Sequence, residues 1–229
     1  MRPPRPVPFA ALPPAPPPAG VRALVLDTET TGLDAAADRV LEVAVVESWG
    51  DVDVGCWSTL VRVDGGVPTR VTELTGITTA MVAAGVDEAV AVAALTALLE
   101  RVEVVVAWNA PFDRAFVAAL FGRCGCALPP TPWVCALEAA RARRPDLKGY
   151  RLDLVARDLG IATGRSHRAL DDARCALSVW RALPVAPPSA GQGVEPAAKD
   201  AAAKDAAPAT ADAAGSPTQG PRGTLDLFR

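Results

Sequence analysis

The apolar and polar residues in the first half of the chain fall into short runs that predict β-strands. Val21–Leu26 is a short apolar run typical of a buried strand, and Arg39–Ser48 alternates apolar with polar positions. Gly55–Val63 is a third strand, separated from the second by turn residues around Trp49-Gly50-Asp51. Val102–Ala107 is a β-branched run and predicts a fourth, buried strand.

Helical spacing dominates from residue 87 onward. Asp87–Arg101 carries apolar residues at helical intervals, and Pro111–Arg123 has its proline in the first turn, where helices tolerate it. Further helices are predicted at Val134–Arg144, Leu152–Leu159 and Arg168–Leu183. A strand-rich half followed by mixed strands and helices predicts an α/β fold with a mixed β-sheet flanked by helices.

The two ends of the chain lack this periodicity. Residues 1–20 are rich in proline, which excludes the helical core of a signal peptide and predicts a disordered leader. Residues 184–223 combine proline, glycine and an alanine-rich charged run, which predicts a flexible linker. We therefore expect one folded domain over residues 21–183 and a short apolar peptide over 224–229.

Composition and charge limit which classes of protein this chain can belong to. Half of the residues are hydrophobic, yet no long uncharged apolar run predicts a membrane span. The five cysteines form no disulfide framework, and Cys124 and Cys126 lack the spacing of a zinc motif, so we expect reduced thiols. A net charge of −3 excludes binding of nucleic acid by charge alone, although residues 141–168 are locally basic.

Acidic residues stand where the predicted strands and helices meet. Asp27 and Glu29 follow the first strand, and residues two apart in an extended chain point to the same face. Two neighbouring carboxylates repel each other unless a cation compensates, and hard divalent cations prefer oxygen ligands. Asp113 lies in the first turn of the helix after the fourth strand, where the helix dipole alone would also favour it.

The last predicted helix separates two adjacent aspartates. Its apolar stripe puts Asp172 at the edge of the core and Asp171 toward solvent. His167, the single histidine of the chain, lies in the loop just before this helix. Taken one at a time, each of these polar positions also fits an ordinary loop or helix end.

Together, these segments resemble the DnaQ-like 3′→5′ exonucleases, in the branch that carries a histidine. The resemblance covers residues 21–183 and implies a ribonuclease-H-like mixed sheet. Thr75-Gly76-Ile77-Thr78 is similar to a further family segment near the substrate. The three main motifs stand in the family's order and spacing: Asp27-Thr28-Glu29-Thr30-Thr31-Gly32-Leu33, Asn109-Ala110-Pro111-Phe112-Asp113 and His167-Arg168-Ala169-Leu170-Asp171-Asp172-Ala173.

The resemblance implies hydrolysis with two Mg²⁺ or Mn²⁺ ions. Asp27, Glu29, Asp113 and Asp172 would be the metal ligands, with Asp113 acting largely through water, and His167 would be the general base. Leu33 would be an apolar wedge against the terminal base. Trp108 departs from the family pattern, because many members have histidine there. The implied substrate-contacting residues are Thr28, Thr30, Leu33, Ile77, Trp108 and Asn109.

The peptide near residue 229 resembles a second motif. Thr224-Leu225-Asp226-Leu227-Phe228 is similar to the Q-L-[S/D]-L-F peptide by which bacterial replication and repair proteins bind the sliding clamp, with Thr224 in place of glutamine. Leu225, Asp226, Leu227 and Phe228 would make the contacts, since leucine and phenylalanine anchors fill apolar pockets. The alternative is an apolar tail without a partner.

We therefore expect a cytoplasmic, nucleoid-associated exonuclease that acts on DNA 3′ ends in proofreading or repair. The sliding clamp and a DNA polymerase subunit are the expected partners. One alternative is an exoribonuclease that processes RNA ends, because neither the metals nor the base would read the 2′-hydroxyl directly. A second alternative is a non-catalytic clamp- or polymerase-binding module on the same scaffold.

Overall fold

The computed structural model describes residues 20–164 and 167–183, which form a five-stranded sheet flanked by helices. The strands are Arg22–Thr30 (β1), Val40–Trp49 (β2), Val52–Leu60 (β3), Val104–Ala107 (β4) and Trp133–Cys135 (β5). The order across the sheet is β3-β2-β1-β4-β5; β2 is antiparallel to β1 and β3, whereas β4 is parallel to β1 and β5. This confirms the predicted mixed sheet of the ribonuclease-H-like fold.

Seven helices accompany the sheet in the described part of the chain. They are Thr69–Thr75 (α1), Thr79–Ala83 (α2), Glu88–Leu99 (α3), Ala110–Arg123 (α4), Ala136–Arg143 (α5), Leu152–Asp158 (α6) and Ala169–Ala182 (α7). Among these described helices, none is both long enough and apolar enough to cross a bilayer.

The side chains of β1 alternate between two apolar layers. Leu24 and Leu26 pack in the layer with α3 and α4, while Ala23 and Val25 pack in the layer with α5, α6 and α7. The same alternation continues to the carboxyl end of β1. Thr28 is therefore on the α4 side of the sheet, and the odd-numbered acidic residues of the strand are on the α7 side.

The helices and the strand that the sequence did not predict are all short. α1 and α2 have seven and five residues, too few for an amphipathic period to show. β5 occupies the start of the helix predicted over Val134–Arg144, because Trp133–Cys135 pairs with β4 before the helix begins. β3 begins at Val52 rather than Gly55, since Gly50, at φ 58°, lets a tight turn close between Trp49 and Val52.

β1 extends to Thr30, so Asp27 and Glu29 belong to the strand rather than following it. Residues 1–19 and 184–229 lie outside the described residues. The predicted leader, the predicted linker and the clamp-binding peptide with Leu225, Asp226, Leu227 and Phe228 therefore stay predictions.

Candidate active site

A cleft opens where β1 and β4 end. These strands are adjacent and parallel, so their carboxyl ends meet at one edge of the sheet. Residues from α1, α4, α6 and the loop before α7 complete its walls. The cleft is lined by ten of the residues predicted from the sequence: Asp27, Thr28, Glu29, Thr30, Leu33, Trp108, Asn109, Asp113, His167 and Asp172.

Three of the predicted carboxylates converge in this cleft. Oxygen atoms of Asp27, Glu29 and Asp172 all lie within 4.8 Å of one another. Asp27 and Glu29 are on the face of β1 that packs against α7, and Asp172 stands in the first turns of that helix. Three carboxylates this close repel one another without a cation, and an all-oxygen donor set suits Mg²⁺ or Mn²⁺. The residues therefore fit the metal site that the sequence implies.

Asp113 approaches from the opposite face of the sheet and stands apart from this cluster. It lies on α4 and is only 3% exposed. Its Oδ1 accepts hydrogen bonds from the Thr28 backbone N–H at 3.1 Å and from the Thr28 hydroxyl at 2.8 Å. Burial raises the pKa of Asp113 to about 7, although the bonds from Thr28 act to lower it. Asp113 thus ties α4 to β1 at the edge of the cleft.

His167 occupies a backbone conformation that few residues adopt. Its φ is 68°, in the left-handed region, which costs a residue other than glycine about 1 kcal/mol. Its N–H donates a hydrogen bond to Asp172 Oδ2 at 2.9 Å, which fastens the turn before α7 to that helix. His167 lines the cleft beside the carboxylates.

Asp172 and its neighbour Asp171 differ as the helical pattern predicts. Asp172 belongs to the cluster, and burial, together with the charges of Asp171, Asp153 and Glu42, raises its pKa to about 7. The Asp171 side chain is 35% exposed and lies 3.8 Å from Arg174 on the same helix.

The loop after β1 holds Leu33 at the rim of the cleft. Asp38 accepts hydrogen bonds from the Thr31 hydroxyl and the Asp34 N–H, each at 2.9 Å. A Cβ atom at Gly32 would collide with the Asp38 carboxylate, so a larger residue here would displace Asp38 from these bonds. Leu33 remains 41% exposed and faces the cleft, where the sequence predicts an apolar contact.

Eight further residues line the cleft that were not named as site residues from the sequence, although Gly32, Thr75 and Phe112 lie within the quoted motif segments. Leu74 and Thr75 come from α1, and the available signal was the helix boundary pair Pro68 before it and Gly76, at φ 73°, after it. The further wall residues are Gly32, Val71, Phe112, Arg151, Leu152 and Asp153.

Ile77 does not reach the cleft, contrary to the sequence expectation. Its side chain is completely buried and packs with Leu41, Val71 and Val82. The neighbouring Thr75 lines the cleft instead. Ile77 therefore supports α1 from behind rather than presenting a surface to a ligand.

Trp108 and one arginine of the basic stretch 141–168 line the cleft. Trp108 is 6% exposed and packs in the apolar layer of α7 while also lining the cleft. Within the basic stretch, Arg151 lines the cleft, whereas Arg144 bridges Asp146 and Asp158 at 2.8 and 2.7 Å. Among the described basic residues of this stretch, Arg151 is the one that lines the cleft.

We expect the cation-free protein to lose stability as the pH rises from about 5 to 7 and to lose little more above that. The pKa values of Asp113 and Asp172 are raised to about 7 from 3.8, so the folded chain binds these protons more tightly than the unfolded chain does. This stabilisation is complete below the unfolded pKa and is lost as the pH rises through the folded pKa. For Asp113 the loss approaches about 1.4 kcal/mol per pH unit between the two pKa values and levels off above about 7.

Thermal unfolding in a chelator between pH 5.5 and 8.5 measures this loss. Asp113→Asn is the matched variant, because its amide oxygen can still accept both bonds from Thr28. It should flatten part of the slope, and Mn²⁺ should restore stability to the native protein at pH 8. A melting temperature that rises with pH in the chelator would contradict the expectation.

The chain is similar in sequence to known exonucleases and DNA polymerase III proteins. Residues 24–180 match the family model RNase T, described as Exonuclease. The PolC-type DNA polymerase III of Clostridium perfringens is 36% identical over 162 residues, which are 69% of this chain and 11% of that protein. The DNA polymerase III subunit epsilon of Aquifex aeolicus is 32% identical over 159 residues, which are 69% of this chain and 77% of the subunit.

Several of the curated relatives are much longer than this chain. The chain spans 26% of one of them and 10–11% of several PolC-type polymerases. A solved structure, the zinc-bound complex of E. coli exonuclease I with single-stranded DNA, has a TM-score of 0.63 at 21% identity. That match covers 69% of this chain and 39% of exonuclease I, and it shows a shared fold. With the family model matched over residues 24–180 and the epsilon subunit matched over most of its length, the chain belongs to the RNase T family of exonucleases.

Proposed function

We propose that the protein is a metal-dependent 3′→5′ exonuclease that removes nucleoside monophosphates from DNA 3′ ends, in proofreading or repair. The observation that carries this proposal is the meeting of Asp27, Glu29 and Asp172 within 4.8 Å, in a cleft that Asp113 and His167 also line. The relatives are named as parts of DNA polymerase III, and the similar exonuclease I structure contains single-stranded DNA. These names favour DNA over RNA as the substrate.

The side chains of the cleft have different roles in the proposed hydrolysis. Asp27, Glu29 and Asp172 would hold the divalent cations, with Asp113 adding a fourth carboxylate at the same edge. Two bound cations would offset the negative charge of the phosphate and make the attacking water more acidic. His167 takes the proton from the attacking water. Because β1 and α7 place these groups in advance, little reorganisation accompanies the reaction.

The remaining walls suit the end of a nucleic acid strand. Leu33 and Leu74, 41% and 37% exposed, offer an apolar surface on which a terminal base can stack. Arg151, held at 3.1 Å by Asp153, is a basic side chain of the cleft that can contact a phosphate.

The direction and substrate of cleavage can be measured together. With Mg²⁺, a 3′-labelled single-stranded DNA should release labelled mononucleotide at once, while the same strand labelled at its 5′ end should shorten stepwise. A chelator should stop both reactions. An RNA strand of the same sequence is the control for the sugar, and faster degradation of RNA would favour the exoribonuclease alternative. Mononucleotides released first from the 5′ end would contradict the proposed polarity.

We also propose that the peptide at Leu225, Asp226, Leu227 and Phe228 tethers the enzyme to a sliding clamp, with residues 184–223 acting as a flexible linker. A flexible linker of about 40 residues has a root-mean-square reach of roughly 35 Å. Tethering over that distance would raise the concentration of the nuclease at clamp-bound DNA ends. A DNA polymerase subunit is the other proposed partner.

Retention on immobilised clamp tests the tether. The full chain should be retained, and a chain ending at Gly223 should not. Leu227→Ala with Phe228→Ala is the matched full-length control and should behave like the truncated chain, because it removes two apolar anchors. Equal retention of the full and truncated chains would contradict the clamp proposal without affecting the nuclease proposal.

A further inference from the structure

We propose that Glu42 is a positioning residue of this active site: its buried carboxylate fixes the start of α7, and with it His167 and Asp172, and keeps the Arg168 guanidinium away from Glu29. The inference rests on the proposed hydrolytic function for its kinetic part only. Its structural part concerns cation binding by the cleft.

Glu42 is the third residue of β2 and lies next to the carboxylate cluster. It is 4% exposed and stands opposite Glu29 in the register of β1 and β2. Its two oxygens accept hydrogen bonds from Arg168 Nη2 at 2.8 Å and Nε at 3.1 Å. Oε2 also accepts from the backbone N–H of Ala169 at 3.1 Å. Three such hydrogen bonds fix the carboxylate of Glu42 and also fix Arg168 and Ala169 relative to it.

The bond to Ala169 gives α7 a cap that its own sequence lacks. The N-cap residue of α7 is Arg168, which makes no side-chain capping bond. Glu42 supplies an acceptor and a negative charge at the positive end of this helix dipole. The same turn carries the bond from the His167 N–H to Asp172 Oδ2. Fixing Ala169 therefore fixes the relation of both active-site side chains to β1.

The bonds to the guanidinium have a second consequence. Glu29 is the cross-strand partner of Glu42 on the same face of the sheet, so the guanidinium that is bound to Glu42 lies near Glu29. Two hydrogen bonds hold the guanidinium on Glu42 and so limit its competition with a metal cation for Glu29. Without Glu42, Arg168 would be left without its carboxylate partner and would compete with the cation for Glu29.

The same strand contains a matched control. Glu47 is also a buried carboxylate of β2, 5% exposed, and it also binds an arginine, Arg101. It differs from Glu42 by an odd number of residues, so it faces the opposite side of the sheet, and it does not line the cleft. Loss of charge at Glu47 reports the cost of breaking a buried ion pair without touching α7.

Calorimetric titration with Mn²⁺ and steady-state hydrolysis of a short single-stranded DNA test the proposal. Glu42→Gln should bind Mn²⁺ about 10-fold more weakly and lower kcat by about 10–100-fold, with KM changed by less than about threefold. Glu47→Gln should keep Mn²⁺ affinity and kcat within about twofold, despite a lower melting temperature. Arg168→Gln should retain or tighten Mn²⁺ binding, because it removes the competing guanidinium.

The sign of the Arg168→Gln effect separates positioning from general loosening of the fold. If Arg168→Gln weakens Mn²⁺ binding as much as Glu42→Gln does, or if Glu42→Gln matches Glu47→Gln, the proposal is overturned. Should Glu42→Gln fail to fold by circular dichroism, the double variant Glu42→Gln with Arg168→Gln replaces it. The double variant should recover Mn²⁺ affinity while kcat stays low, and the reverse pattern would overturn the proposal. An inactive native protein would refute the proposed function and leave the Mn²⁺ comparison standing.

Discussion

Replacing Asp27 with alanine is expected to abolish hydrolysis while leaving the fold intact. Asp27 is one of the three carboxylates whose oxygens lie within 4.8 Å, so its removal leaves the cleft with too few ligands to hold cations in a reactive arrangement. Metal ions contribute several kcal/mol of transition-state stabilisation, and a loss of about 4 kcal/mol corresponds to a rate lower by on the order of 10³-fold. Crowded carboxylates repel one another, so the cation-free variant should be at least as stable as the native protein.

Hydrolysis of 3′-labelled DNA and thermal unfolding in a chelator measure the two halves of this expectation. Asp171→Ala is the matched control, because Asp171 is an aspartate of α7 next to Asp172 but lies outside the cluster. It should keep the native rate within about threefold. An Asp27→Ala protein that retains a substantial rate, with its circular dichroism unchanged, would refute the metal-binding role of the cluster.

Two simple periods predict which way the carboxylates of the cluster face, and the family resemblance implies that they share one site. Alternation along β1 puts Asp27 and Glu29 on one face. The helical stripe of α7 turns Asp172, and not Asp171, toward the sheet. The sequence alone did not show which helix packs on which face, so it could not tell that Asp113 would come from the side opposite to Asp172 and bind Thr28.

Other parts of the site depend on contacts that no local period records. α1 is a seven-residue helix, and it brings Leu74 to the cleft while burying Ile77 behind it. The hydrogen bonds from Arg168 and Ala169 to Glu42 span 126 and 127 residues of chain. In the sequence, Glu42 is one polar residue of an alternating strand. Its hydrogen bonds to Arg168 and Ala169 depend on the packing of α7 on β2, which the sequence does not show.

Replacing His167 with asparagine is expected to lower kcat by about 10²–10⁴-fold, the usual contribution of a general base. The choice of asparagine follows from the backbone, because His167 has a φ of 68° and asparagine tolerates the left-handed region better than alanine does. The bond from the backbone N–H of residue 167 to Asp172 Oδ2 does not involve the imidazole and should persist. The carboxylates then stay in place, and Mn²⁺ affinity by calorimetry should remain within about twofold of the native value.

His167→Ala provides the control for backbone strain. It removes the same imidazole but places a residue that disfavours positive φ, so it should melt at a lower temperature than the asparagine variant while showing a similar kcat. If both variants have a similar kcat, the lost rate is due to the missing imidazole, because only His167→Ala also increases the backbone strain before α7. If His167→Asn hydrolyses DNA at the native rate, proton removal must fall to another group of the cleft, and the assignment of His167 as the base is wrong.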